Sequence, residues 1–263
     1  MTTVRDILDF LETLAPRYMK MDWDNVGLLC GRPGREVRRV LVALDPFEDV
    51  CREAADWGAE LLVTHHPLIF QPLRSITDDT SVGRCILFLA ARDVAAINAH
   101  TNLDCAPGGV NDCLAEVLGL EETVVLNPSG TDGQGRPWGL LRAGRREPIS
   151  LEGFLEQVKE QLGCPGLRYV SGGRPVCRVA VGGGACGDGV REAFGAGCDT
   201  FVTADVKYNQ FWDARDLGMN LIDAGHFWTE NPVCAALVDK LQRQFPQILV
   251  KGSENHTDCI KFC

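Results

Sequence analysis

The sequence predicts an α/β protein with two lobes, each built on a mainly parallel or mixed sheet flanked by helices. Short apolar runs alternate with amphipathic stretches between residues 38 and 120, and the alternation returns between residues 178 and 252. Between these regions, residues 127–137 are rich in glycine and proline and are predicted to form a linker or long loop. We therefore place one lobe at residues 1–126 and the other at residues 127–263, with the last strand able to return to the first lobe.

The first lobe opens with an amphipathic helix over residues 3–14, where apolar side chains recur at helical spacing. The predicted strands that follow are RRVLVALDP, ELLVTHH and VAAINAH, and the predicted helices between and after them are FEDVCREAADWG, SVGRCILFLAARD and GGVNDCLAEVLGL. Because a helix separates each strand from the next, the strands are expected to run parallel.

The second lobe begins less regularly and then alternates in the same way. Its predicted strands are WGLLRAG, LRYV, RVAVGGG, TFVTAD, NLIDAG and QILVKG, and its main predicted helices are SLEGFLEQVKEQLG, VKYNQFWDARDLG and NPVCAALVDKLQRQF.

Composition narrows the class of protein. The 263 residues carry a formal net charge of -10, which argues against a nucleic-acid partner. No apolar run has the length of a membrane span, and the N-terminus lacks the features of a secretory signal. None of the 12 cysteines forms a C-x-x-C motif, so we expect reduced thiols and a cytoplasmic protein.

Two adjacent histidines, His65 and His66, end the second predicted strand. Successive side chains of a strand point to opposite faces, so these imidazoles are expected to diverge and to suit two metal ions rather than one. The alternative is one histidine in the core and one in solvent.

Further ligand types follow other strands. Asp104 comes after NAH, and His226 and Glu230 come after LIDAG, with His226 on a loop and Glu230 at the start of the helix that contains Pro232. Ligands bind outside the carboxyl ends of parallel strands. Three imidazoles and two carboxylates suit two divalent transition-metal ions such as Fe, Zn or Mn, although each acid alone also fits a turn or helix-start role.

The segment RVAVGGGACGDGV offers a second kind of site. Gly182, Gly184 and Gly187 match G-x-G-x-x-G after a strand, and Asp205 ends the next strand. The loop is a candidate for binding a dinucleotide cofactor or a substrate phosphate, and the alternative is a tight strand-to-helix turn.

Five sequence blocks resemble one known family. They are WDNVGL, THHPLIF, NAHTNLD with GGVND, TADVKYN and LIDAGHFWTE, spread in order over residues 23–230. They are similar to the Nif-three-like proteins, also called type 2 GTP cyclohydrolase I homologues or dinuclear metal centre proteins, in a short form without an inserted domain.

The resemblance implies a dinuclear centre held by His65, His66, Asp104, His226 and Glu230, with Glu230 as a bridge, in a hexameric ring of dimers. Two departures from the family pattern stand out. Asn209 occupies a position where the family usually has a histidine, and the ending NHTDCIKF also differs.

Function is predicted from these groups together. We expect a metal-dependent hydrolase acting on a nucleotide or phosphorylated small molecule, GTP cyclohydrolase-like by resemblance, with Asp24, Lys207 and Tyr208 as candidates to position the substrate. The first alternative is a non-enzymatic ring that handles metal or regulates a partner. The second is a dinucleotide-binding protein that uses the Gly182–Gly187 loop.

Overall fold

The structure is a computed structural model that describes residues 1–263. Its helices, in chain order, are α1 (Val4–Leu14), α2 (Glu48–Trp57), α3 (Ser81–Ala91), α4 (Thr101–Cys105), α5 (Val110–Val117), α6 (Leu151–Leu162), α7 (Val190–Gly195), α8 (Tyr208–Leu217), α9 (His226–Glu230) and α10 (Pro232–Gln244). Its strands are β1 (Gly27–Cys30), β2 (Arg39–Ala43), β3 (Leu61–Thr64), β4 (Ala95–Asn98), β5 (Glu121–Val125), β6 (Gly130–Thr131), β7 (Pro137–Trp138), β8 (Arg142–Ile149), β9 (Arg168–Val170), β10 (Val176–Val181), β11 (Thr200–Thr203), β12 (Asn220–Asp223) and β13 (Leu249–Gly252).

The chain divides into two compact units. The first contains residues 1–103 and 234–257, and the second contains residues 104–233 and 258–263. The predicted lobe boundary between residues 126 and 127 falls inside the second unit. The predicted α/β class, with sheets flanked by helices, is confirmed.

The first unit contains a five-stranded sheet in the order β1-β4-β3-β2-β13. The four strands from β4 to β13 are parallel, and β1 adds an antiparallel edge. β13 returns to pair with β2, the course that the sequence left open. Strands β2, β3 and β4 are buried along almost their whole length, as expected when helices cover both faces of a parallel sheet.

Local signals explain where the helices of the first unit begin and end. Thr3 and Asp6 form a reciprocal capping box at the start of α1. α2 ends at Gly58, whose φ of 75° is the left-handed conformation that glycine adopts at low cost. Both positions agree with the predicted helix limits.

The second unit contains a six-stranded mixed sheet in the order β5-β8-β10-β11-β12-β9. β10, β11 and β12 are parallel, while β8 and β9 are antiparallel to their neighbours. Alternate residues of these strands enter different cores: Val181 joins α5 and α6 on one face, and Ala180 joins α7 and α8 on the other. Helices therefore cover both faces of this sheet.

Three segments differ from their predicted form. The predicted loop at 127–137 contains part of a short hairpin, β6–β7. The predicted strand WGLLRAG is displaced, because β8 starts at Arg142, where its pairing with β10 begins. β5 was not predicted, because its sequence EETVV lies largely exposed at the edge of the sheet and lacks the apolar pattern of a buried strand. None of the helices combines the length and apolar character needed to cross a bilayer.

Candidate metal centre

Three imidazoles meet at the carboxyl ends of the strands in the first unit. The backbone N–H of His65 donates to Ala43 O and that of His66 to Leu44 O, so sheet pairing continues just past the end of β3. One ligand nitrogen from each of His65, His66 and His100 lies within 4.8 Å of the others. The first unit therefore offers a compact group of nitrogen donors.

The rings of His65 and His66 lie side by side, with centroids 4.9 Å apart and planes tilted by 49°. The expected divergence of the two rings is wrong, because β3 ends at Thr64 and strand alternation no longer governs His66. The alternative of one solvent-facing histidine also fails, since His65 is fully buried and the His66 side chain is only 20% exposed.

Each ring is anchored through Nδ1 on a different neighbouring strand. Nδ1 of His65 donates to the carbonyl of Ala99, at the end of β4, over 2.9 Å. Nδ1 of His66 lies 2.7 Å from Oδ1 of Asp45, just beyond β2. A donor role for Nδ1 leaves Nε2 as the nitrogen with the lone pair, the arrangement typical of metal-bound histidine.

Asp24, a predicted substrate-positioning residue, is buried beside His100. Its carboxylate has no solvent exposure and lies 2.8 Å from Nδ1 of His100. It also accepts from the N–H and hydroxyl of Thr101. Burial raises the pKa of Asp24, but the hydrogen bonds from His100 and Thr101 outweigh it and hold that pKa well below its usual range. Asp24 is therefore placed to orient the His100 ring.

His100 was not among the predicted ligands, yet it belongs to this group. Its ring lies edge-on to those of His65 and His66, at 5.1 and 5.5 Å between centroids. The exposed rings of Trp23 and Phe70 flank it at 6.2 and 6.1 Å. The sequence signal was present in WDNVGL, THHPLIF and NAHTNLD, but spacing alone does not bring those blocks together.

The second unit presents two carboxylates and one imidazole. His226 and Glu230 are the first and last residues of α9, and Nε2 of His226 lies 3.0 Å from Oε2 of Glu230. A carboxylate oxygen of the buried Asp104 lies within 4.8 Å of one from Glu230. The predicted loop position of His226 is wrong, because Gly225, with φ of 83°, allows a helical turn to start directly after it.

Asp205 fixes the His226 ring in the second unit. Its Oδ2 lies 2.7 Å from Nδ1 of His226, and its φ of 51° is a left-handed conformation that aspartate tolerates better than most residues. In the sequence, Asp205 stands at the strand end where the acid of a dinucleotide-binding motif would be expected. Its structural contact instead repeats the carboxylate–histidine pair seen at His66.

The glycine loop that follows β10 makes room for these ligands. A Cβ on Gly184 would overlap the Glu230 carboxylate and lie 3.1 Å from Nε2 of His226. Gly187 is packed equally closely, against the side-chain amide of Gln210. The loop thus supports α9 by close backbone approach.

The first three amides of the same loop, a candidate anion cradle, are hydrogen-bonded inside the unit. Gly182 N–H donates to Val202 O, Gly183 N–H to Asn111 Oδ1, and Gly184 N–H to Thr229 Oγ1. α7 has only six residues. Gly182 and Gly184 therefore use their amides inside the unit, Gly184 also makes room for Glu230 and His226, and Gly187 packs against Gln210.

The remaining candidates, Lys207 and Tyr208, lie at the start of α8 and are exposed, as is the adjacent Asn209. Tyr208 is 78% exposed. Both residues can therefore meet a ligand from solvent.

The three imidazoles of the first unit form a group that could hold a metal ion, and the imidazole and carboxylates of the second unit are also metal-ligand types. The Nδ1 atoms of three of these imidazoles are already engaged in polar contacts. The carboxylates are buried, and a buried carboxylate costs free energy unless a cation or hydrogen bonds compensate it. The pattern that defines the Duf34/NIF3 family (NGG1p interacting factor 3) matches residues 2–258. The chain belongs to this family.

Relatives in the Duf34/NIF3 family extend over nearly the whole chain. A Clostridium perfringens protein named GTP cyclohydrolase 1 type 2 homolog is 36% identical over 245 residues, covering 92% of each chain. The crystal structure of a Bacillus cereus protein related to NIF3 is similar at a TM-score of 0.94 and 28% identity, covering 100% of this chain and 99% of that one. The crystal structure of a Staphylococcus aureus protein is similar at a TM-score of 0.92 and 29% identity, covering 99% of each chain.

Proposed function

We propose that this Duf34/NIF3 chain is a metal-dependent hydrolase that acts on a nucleotide or phosphorylated small molecule. The observation that carries the proposal is the common anchoring of the imidazoles. Nδ1 of His65, His66 and His226 contacts Ala99 O, Asp45 and Asp205, respectively. These contacts favour the tautomer with the proton on Nδ1 in all three rings, which leaves each Nε2 for a metal ion. A preorganised metal site requires this common tautomer, whereas a purely structural role of the three histidines does not.

The proposed ligands of two divalent ions, Fe, Zn or Mn, are His65, His66, Asp104, His226 and Glu230. Glu230 is proposed as the bridging carboxylate, because its side chain is 4% exposed and lies beside both His226 and Asp104. Two such ions, when bound, supply a water nucleophile near neutral pH and a Lewis acid for the bond that breaks.

His100 and its neighbours are proposed to handle the substrate. With Nδ1 donating to Asp24, Nε2 of His100 can take a proton next to the ligand rings. His100 would thus provide the proton-transferring histidine that this chain lacks at position 209, where the amide of Asn209 cannot transfer protons. The exposed rings of Trp23 and Phe70 offer an apolar wall beside His100, and Lys207 is proposed to attract the phosphate.

The test compares wild type with Asp104→Ala and His226→Ala, using Asp216→Ala as an exposed acidic control. We expect up to two transition-metal ions per wild-type chain, fewer in both ligand variants, and the wild-type number in the control. Metal-dependent hydrolysis across a nucleotide and phosphoester panel that includes GTP should follow the metal content. Elemental analysis and the assay are done on the same samples.

The alternative function predicts a different pattern. If the protein is a non-enzymatic ring that handles metal, the ions stabilise its fold or assembly, and loss of a ligand lowers the melting temperature and the oligomer size. Wild type would then hydrolyse no member of the panel. We also propose a hexamer of dimers, which sedimentation analysis of the wild-type protein tests directly.

A further inference from the structure

A cleft in the second unit lies between the edge strand β9 and helix α8. Its volume is about 300 Å³. The lining side chains that matter here are Arg168, Tyr169, Tyr208, Phe211, Trp212 and Arg215. The four helical residues follow a spacing of three to four, so they form one face of α8. The cleft is therefore a built feature of one strand and one helix face.

The cleft gathers aromatic side chains that are exposed to solvent. The chain has only 3 tyrosines, and two of them, Tyr169 and Tyr208, line this cleft at 52% and 78% exposure. Trp212 is 45% exposed, and its ring meets Tyr208 edge-on at 6.3 Å. Clustered exposed aromatic rings mark binding sites more often than isolated ones do.

The charge of the cleft is opposite to that of the whole chain. Two arginines and no acidic residue line it, in a protein with a net charge of -10. The guanidinium of Arg215 lies 4.9 Å from the Trp212 ring and makes no ion pair with a carboxylate. Arg168 lies 5.5 Å from the Phe211 ring and is anchored by Asp223. Arg215 is thus available to an incoming anion.

We propose that this cleft binds a small molecule in which a planar aromatic ring carries an anionic group. The ring stacks on Tyr208 and Trp212, since every flat π-system can pack on an aromatic side chain. The anion lies against Arg215, whose planar guanidinium suits a phosphate or carboxylate. The volume is at the small end of the range for ligand pockets and matches a single ring system.

The cleft is joined to the candidate metal centre by a short piece of chain. Tyr208 is three residues from Asp205, which holds His226. The cleft is nevertheless lined by none of the residues that the proposed function gives a role with the substrate. The inference therefore goes beyond the proposed function, and binding to the cleft does not depend on it.

Calorimetric titration of the protein with three matched probes tests the inference. AMP has both ring and anion, adenosine has only the ring, and ribose 5-phosphate has only the anion. We expect AMP to bind about tenfold or more tightly than either partial probe, because only AMP engages both features. Trp212→Ala and Arg215→Gln should each weaken AMP binding about tenfold, whereas Arg145→Gln, an exposed arginine on β8, should leave it unchanged.

Other outcomes overturn the inference. Adenosine or ribose 5-phosphate binding as tightly as AMP would remove the need for two features, and AMP binding that neither cleft variant weakens would place it elsewhere. A change of oligomer size in Trp212→Ala, with no AMP binding to wild type, would make the cleft a contact between copies. Glu230→Ala separates the two proposals, since it should lose metal and keep AMP binding.

Discussion

Replacing Gly184 by alanine tests the role that the structure gives to the glycine loop. Gly184 has φ of 64°, a conformation that costs an L-residue about 1–2 kcal/mol. The added Cβ would also overlap the Glu230 carboxylate and approach Nε2 of His226 to 3.1 Å. Forced overpacking typically costs about 1–3 kcal/mol. We therefore expect Gly184→Ala to lose about 2–5 kcal/mol of unfolding free energy and, because Glu230 must move, to bind less metal.

Denaturant unfolding and elemental analysis measure the two effects separately. Gly195→Ala is the matched control, because its Cβ would meet no atom within 4 Å and its φ lies outside the left-handed region. That change at the end of α7 should alter stability by less than about 1 kcal/mol. If Gly184→Ala is as stable as the control and retains wild-type metal, the support that we assign to this loop is wrong.

Three further predictions follow from other contacts. Asp205→Ala should weaken metal binding about 10- to 100-fold, because it removes the partner of His226, whereas Asp213→Ala should not; metal titration measures both. Because the pKa of Asp24 is lowered in the folded state, its carboxylate stabilises the protein fully above the unfolded pKa of about 4, and the effect declines progressively as the pH falls toward the lower folded pKa. Asp24→Asn should therefore lower the melting temperature most at pH 7, by an amount that shrinks steadily as the pH falls below about 4. All 12 thiols should titrate under denaturing conditions, since no cysteine forms a disulfide in the structure.

Each of these predictions has a clear contrary result. Equal metal affinity in Asp205→Ala and wild type would show that the His226 ring needs no carboxylate partner. A constant difference in melting temperature between Asp24→Asn and wild type across the pH range would show that ionisation of Asp24 is not coupled to folding. Fewer titratable thiols, with a mass change on reduction, would show disulfides and contradict the reducing compartment expected from the sequence.

Periodicity predicted most of the buried elements, because burial and spacing are linked in the sequence itself. β2, β3, β4, β10, β11 and β12 are apolar runs between recognisable helices, and all six lie inside the sheets. Of the four edge strands of the two main sheets, β9 and β13 were predicted, whereas β1 and β5 were missed. β1 and β5 pair with the sheets on one side only, and Glu121 and Glu122 of β5 are exposed charges that carry no strand signal.

The candidate ligands were predicted by residue type and strand position, whereas their supports were not. Asp45 contacts His66 from a position 21 residues away in the sequence, and Asn111 accepts a hydrogen bond from the Gly183 amide, 72 residues away. Such contacts depend on which strand ends are neighbours, and strand order is not visible in one sequence. The role of the glycine loop was left open in the sequence for a related reason: the pattern of its glycines is the same whether their amides face a phosphate or a neighbouring side chain.

The place of β3 in the sheet explains why a strand can end in two histidines. β3 has β4 on one side and β2 on the other, so residues just beyond it can reach the ends of both neighbours. His65 uses the carbonyl of Ala99 on one side, and His66 uses the carboxylate of Asp45 on the other. An edge strand has only one neighbour and could anchor only one such ring. Tandem histidines after a central parallel strand, with an acid just after the preceding strand, therefore indicate two rings held in the tautomer that binds metal through Nε2.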